Sequence, residues 1–184
     1  RDIANLTGIE DFTALITLDC NDNQLTGLDV SANSALKTLL CFVNELTSLD
    51  VSNNTALTTL ICENNQLTSL DVSQNTALTT FSCGANQLTS LDVRNGNNEN
   101  ITFFNALNNP DLTCIFVDDV SYSTTNWTDI DPASTFVTDE AECDALFTAI
   151  PDANFEQALI DLGIDTNPTI DGQVPTADIE GVTI

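Results

Sequence analysis

Between Leu15 and Val117 the apolar residues fall in two short bursts separated by polar punctuation, and the whole pattern returns every 21 residues. Cys20, Cys41, Cys62 and Cys83 mark one apolar slot, Leu28, Leu49, Leu70 and Leu91 a second, and Val30, Val51, Val72 and Val93 a third. A fifth unit carries two extra residues in RNGNNEN and one more near Pro110, which puts Ala106 in the cysteine slot and Val117 in the valine slot. One unit reads LxxLxCxxNxLTxLDVSxNxA. Its apolar steps of two and three residues, broken by Asn, do not fit a helix and predict short extended segments joined by turns. A single unit could not bury Leu57, Leu60, Cys62, Leu67, Leu70 and Val72 without neighbours stacked on it. Stacking would align the strands in parallel at about 4.8 Å per coil. Asn23, Asn44, Asn65, Asn86 and Asn109 at one bend, and Asn33, Asn54 and Asn75 at the other, are expected to turn inward and satisfy backbone groups.

The stretch LTTLICENNQL resembles the LxxLxLxxNxL hallmark of the leucine-rich repeat family, with Cys in the sixth place. The variant that continues LDVSxNTA is similar to the 21-residue repeats of secreted Bacteroidetes proteins and, more distantly, to the internalins. The resemblance covers residues 6 to 120 by repeat and implies a β-rich solenoid of parallel strands stacked in coils. On this reading residues 1–14 are a leading strand and first partial coil, 15–120 five coils, 121–143 a C-terminal cap segment, and 144–184 a connector with one short capping helix. That helix is read from IPDANFEQALIDLGI: Phe155, Leu159 and Leu162 keep helical spacing, Pro151 and Asp152 mark the start and Gly163 the stop.

The two ends share a pattern. RDIANLTGI at residues 1 to 9 and ADIEGVTI at 177 to 184 carry Asp, Ile and Thr in register, with Arg1 on Ala177. A module of about 176 residues repeated in tandem would produce this match. Helices of this kind precede the first coil in the resembling family, so this one is expected to cap the following module, with Phe155, Leu159 and Leu162 meeting Ile3 and Leu6 of the next copy. Folding back as a C-terminal cap is the alternative. The absence of Met and of a signal peptide fits an internal or matured piece of something longer.

Composition narrows the partners. The 184 residues carry 28 acidic and three basic side chains, a formal charge of −25. Nucleic acid and anionic membrane surfaces need positive charge on the protein and are poor partners, and no apolar run approaches the roughly 20 residues of a membrane span. Without His, the Ser-His-Asp, Cys-His and His-metal arrangements are excluded. Paired carboxylates remain, as Asp118 with Asp119 or as the series Asp29, Asp50, Asp71 and Asp92. The series repeats without any copy standing out, and no enzyme is expected. The segment IDTNPTIDGQV resembles a degenerate calcium loop, with Asp165, Asn167 and Asp171 as candidate oxygens. It departs from the pattern because Pro168 intrudes, Gly172 comes late and no Glu closes the loop, and a plain turn would explain it as well. No other cofactor is indicated. Sequons at Asn5, Asn53, Asn100 and Asn126 are ordinary in an Asn- and Thr-rich chain.

The four periodic cysteines sit in inward slots, where a free thiol packs as a small hydrophobe, and no CxxC pair suggests zinc. Cys114 and Cys143 stand outside the repeat. The segment they flank resembles the closing segment after such repeats in secreted flavobacterial proteins, and that resemblance implies a bridge between them and an oxidising, extracellular setting.

One coil breaks the polar pattern around its cysteine: LLCFVNEL, where the sibling coils read LDCNDNQL, LICENNQL and FSCGANQL. Leu40, Phe42 and Val43 are expected to project from the sheet, with Ile61, Phe103 and Leu107 from other coils, as a partner-binding patch. Cover by a flanking loop is the bland alternative. Two functions compete. One is a non-catalytic structural or adhesive module of a bacterial cell-surface protein, joined head to tail with its copies and forming filaments where the contact fails to close. The other is a discrete adhesin module that binds a protein or glycan through the patch around Phe42.

Overall fold

The computed structural model describes residues 2 to 180 and residue 182; Arg1 and Thr183, part of the end-to-end match, lie outside the described residues. Two compact units divide the chain, residues 1–138 and 139–184.

The first unit is the coil. One strand per repeat, β1 (Thr17–Asp19), β2 (Thr38–Leu40), β3 (Thr59–Ile61), β5 (Thr80–Ser82) and β7 (Phe103–Asn105), forms a five-stranded parallel sheet. The LDV bursts of the third and fourth units, in β4 (Ser69–Asp71) and β6 (Ser90–Asp92), join β8 (Cys114–Phe116) and β9 (Thr135–Val137) in a second wall, a four-stranded parallel sheet. Register is fixed by the repeat: Leu18 pairs with Leu39, Leu39 with Leu60, Leu60 with Phe81 and Phe81 with Phe104. This column and the cysteine column fill the space between the walls, and Ala106 takes the fifth cysteine place, fully buried.

The bends follow from the asparagines. The Nδ2 of Asn44 donates to Cys20 O and Cys41 O, both at 3.1 Å, and its Oδ1 accepts the N–H of Leu25 at 3.0 Å. Asn65, Asn86 and Asn109 repeat this geometry one coil further each. At the opposite bend Asn54 Nδ2 donates to Val30 O and Asn33 O, both at 2.9 Å. Each inward Asn of the first bend follows a residue with positive φ: Asp22, Val43, Asn64, Ala85 and Asn108.

The two ends of this core are finished differently. At the C-terminal end Asp119 caps α1 (Val120–Asn126), which delivers Trp127 onto Phe104, stacked at 4.3 Å between centroids. Trp127 also meets Phe136 and Tyr122 edge-on, and its Nε1 donates to Ile101 O at 3.2 Å. The segment beyond continues the coil ladder: Asp129 O accepts from Ala106 N, and the Asp131 carboxylate accepts from the N–H groups of Asn108 and Asn109. At the N-terminal end the cover thins. The equivalent leucines run from Leu91 at 0% exposed through Leu70 at 4% and Leu49 at 8% to Leu28, which is only partly buried. Leu28 lines a cavity of about 480 Å³ with Leu6 and Ile9, and Ile3, Phe12 and Ile16 are exposed nearby in the chain.

The second unit contains α2 (Glu140–Asp144), β10 (Phe147–Ala149), α3 (Ala153–Asp161), β11 (Gln173–Pro175) and α4 (Thr176–Ile179). The expected helix is α3, with Asp152 as its cap; α1, α2 and α4 are additional short helices. Strands β10 and β11 pair antiparallel, and Ile150, Leu159 and Val174 form a small core. The carboxylate of Glu156, buried on α3, accepts from the N–H groups of Asp171 and Gly172 and so ties the following turn to the helix.

Candidate binding face

Alternation along β2 and β3 buries Leu39 and Leu60 and turns Leu40 and Ile61 to the other side, where register sets them side by side. Phe42, two residues beyond Leu40, lies on the same side next to them. Leu40, Phe42 and Ile61 therefore form one half-buried apolar cluster. Val43, 43% exposed, sits at the bend in a left-handed conformation with φ 54, which β-branched residues rarely adopt. Its equivalents are Asp22, Asn64, Ala85 and Asn108, so the chain keeps a strained valine at the rim of the cluster.

The other two predicted members are not contiguous with it. Phe103, exposed at 47%, pairs with Thr80 and continues the threonine column Thr17, Thr38 and Thr59. Leu107 belongs to the Phe42 column but is separated from it by Glu63 and Gly84. The residues between form a polar network: the Glu63 carboxylate accepts from the Ser82 hydroxyl and, at 3.1 Å, from Asn105 Nδ2. Gly84 makes room for it, because a Cβ there would meet Leu107 O at 3.0 Å and the Asn105 side chain at 3.2 Å. Glu63, Ser82 and Asn105 were not singled out in the sequence, although Ser82 stands where Leu40 and Ile61 stand in their coils.

The predicted joining residues also divide. Phe155 and Leu162 are exposed at 48% and 73%, and Ile3 at 45%, whereas Leu6 is partly buried against the coil core. Leu159, at 7%, is spent on the second unit's own core and is not available to a partner. The candidate calcium ligands lie in one loop: Asp165 Oδ1 accepts from Asn167 N, Asn167 Nδ2 donates to Asp171 Oδ2, and Asp171 Oδ1 accepts from Gln173 N.

The aspartate series is a set of turn locks. Asp29, Asp50, Asp71 and Asp92 accept from the backbone N–H two residues on, at 2.8 to 3.0 Å. Hydrogen bonds from Ser31 and Ser52 hold Asp29 and Asp50 below the usual carboxylate range. At Asp92 burial works upward, but the bonds and charge of Arg94 outweigh it and the carboxyl is lowered.

Cys20, Cys41, Cys62 and Cys83 are free, buried thiols stacked coil on coil. Burial, reinforced by Asp19, pushes Cys20 up to about 11. Cys41 and Cys62 rise well above the ordinary thiol value through burial and the neighbouring thiols, and Cys83 through burial and Glu63. Cys114 and Cys143 are disulfide-bonded. Since the thiolate is the reactive form, Ellman's reagent should find essentially no reactive thiol in the native chain and four after denaturation without reductant. Six thiols after that treatment would contradict the assignment of Cys114 and Cys143.

Coils stacked in parallel sheets, with inward asparagines and a buried cysteine column, define a β-solenoid of the leucine-rich-repeat type. Among solved structures, the functional domain of InlJ from Listeria monocytogenes, which includes a cysteine ladder, matches with a TM-score of 0.51 and 28% identity over 73% of this chain. The match covers 36% of that chain, so this protein spans about a third of its length. No family model and no curated protein matches the sequence. Among the described residues, no helix is long and apolar enough to cross a membrane.

Proposed function

We propose that this chain is a non-catalytic structural and adhesive module of a bacterial surface or secreted protein, joined head to tail with copies of itself. The observation that carries the reading is the asymmetry of the coil ends. Trp127 and α1 seal one end, while at the other Leu28 is only partly buried beside a cavity it shares with Leu6 and Ile9, and Ile3, Phe12 and Ile16 are exposed. A thinly covered solenoid end that still exposes large apolar side chains offers a surface for a capping neighbour. The second unit supplies a complement in kind, with Phe155 and Leu162 exposed on and just after α3. The shared Asp and Ile of residues 2–3 and 178–179 support a tandem order in which that unit precedes the thinly covered end of the next coil. Head-to-tail contacts that do not close give filaments.

A second reading is favoured by the cluster of Leu40, Phe42 and Ile61 beside the Glu63 network. There the module binds a surface protein or glycan, and copies join or not independently of it.

Sedimentation velocity across a wide concentration range separates the two. Association that Phe12→Asp abolishes and Phe42→Asp leaves intact supports head-to-tail joining. A monomer at every concentration, together with a ligand whose binding is lost in Phe42→Asp, supports the adhesin instead.

A further inference from the structure

The loop between α3 and α4 holds a carboxylate that its surroundings leave half satisfied. Asp165 is 3% exposed; its Oδ1 accepts from Asn167 N at 3.0 Å, and its Oδ2 is buried with no hydrogen-bond partner. The chain's basic residues are Arg1, Lys37 and Arg94, so residues 139–184 contain no cationic side chain to meet it. A buried carboxylate oxygen is costly unless a donor or a cation takes it.

The same loop gathers further oxygens. Asn167 Nδ2 bonds Asp171 Oδ2 at 2.9 Å. Asp178, seven residues beyond Asp171 and on α4, folds back so that its Oδ2 accepts from the N–H and hydroxyl of Thr166 at 3.1 and 2.7 Å, next to Asp165. Gly172, with φ 85, makes the sharp turn directly after Asp171, and Val174 then enters β11 fully buried. Helix, oxygen residues at the first and third places, Asp-Gly at the turn, a short strand, and an acid closing the loop on the exiting helix: this is the order in which a helix–loop–helix calcium site sets its ligands. Here two residues are inserted between Asn167 and Asp171, which is why the glycine comes late, and Asp178 stands where Glu is usual.

We propose that this loop binds one calcium ion through Asp165, Asn167, Asp171 and Asp178. Among the described residues no three acidic side chains converge on a point, so binding turns the Asp178 carboxylate from Thr166 toward the buried Oδ2 of Asp165. The ion would satisfy that oxygen and fix α4 against the end of α3. This inference stands apart from the joining of modules.

The test is calcium titration of the full chain by calorimetry, with thermal unfolding in calcium and in EDTA. One ion per chain and a raised melting temperature are expected, both lost in Asp165→Asn and in Asp171→Asn, and both kept in Asp71→Asn on the coil. Asp171 is exposed, so its variant carries the test if Asp165→Asn does not fold. No heat and no shift, or a response that survives both loop variants as diffuse attraction to a chain of charge −25 would, overturns the proposal.

Discussion

Asn65→Ala is expected to destabilise the coil unit by about 3 kcal/mol, a large share of the stability of an ordinary domain. The Nδ2 of Asn65 donates to Cys41 O at 3.0 Å, to Cys62 O at 3.1 Å and to Glu63 O at 3.3 Å, and its Oδ1 accepts from Leu46 N at 3.0 Å. Alanine removes all four bonds at once: Leu46 N–H is left without a partner inside the core, at about 1–3 kcal/mol, while Cys41 O, Cys62 O and Glu63 O each lose one donor and keep another, from Asn44 Nδ2, Asn86 Nδ2 and Val43 N–H. Asn65→Asp should be no better at neutral pH, because its second oxygen would face carbonyl oxygens where Nδ2 now donates. The adjacent Asn64 provides the control. Its φ is 53 and its equivalent in the next coil is Ala85 with φ 52, so Asn64→Ala should cost less than about 1 kcal/mol. Urea unfolding followed by circular dichroism measures all three. Equal losses for Asn64→Ala and Asn65→Ala would show that the inward asparagine does not hold the bend.

Trp127→Ala should cost about 3–5 kcal/mol. Trp127 is 3% exposed, stacks on Phe104 with the planes 8° apart, meets Phe136 edge-on at 5.9 Å, and spends its only polar group on Ile101 O. Removing it leaves a cavity over the last coil and strands that carbonyl. Trp127→Phe keeps most of the stacking and loses the hydrogen bond, so it should cost about half as much or less. Chain unfolding by calorimetry checks both. If the alanine variant unfolds like the parent, the aromatic plug is not what seals this end.

The coil was legible because repetition states the same physical demand several times. Leu39, Leu60, Cys41 and Cys62 recur at one step, and only stacking buries them together. The inward asparagines were legible for the same reason, since an amide in every bend answers the same unpaired backbone groups. Helix α3 announced itself through Asp152, the apolar spacing and Gly163. The shorter helices did not: α1 and α2 rest on the single caps Asp119 and Asp139 and are too short for a periodic signal.

What failed at the candidate face failed for lack of long-range information. The bond from Asn105 to Glu63 spans 42 residues and exists only because the two-residue insertion in RNGNNEN leaves the coil register intact. Leu159 looked free because its partner Val174 lies beyond a loop. Asp178 escaped notice as the closing acid because only the turn at Gly172 brings α4 back to Thr166. Val43 could be read as apolar and outward, but not as left-handed.

Negative-stain electron microscopy of the 184-residue chain at high concentration tests the joining of copies most directly. Filaments with a regular axial repeat, shortened or absent in Phe12→Asp and unchanged in Phe42→Asp, are the expected result. Separate, uniform particles at every concentration, with and without the substitutions, would contradict it.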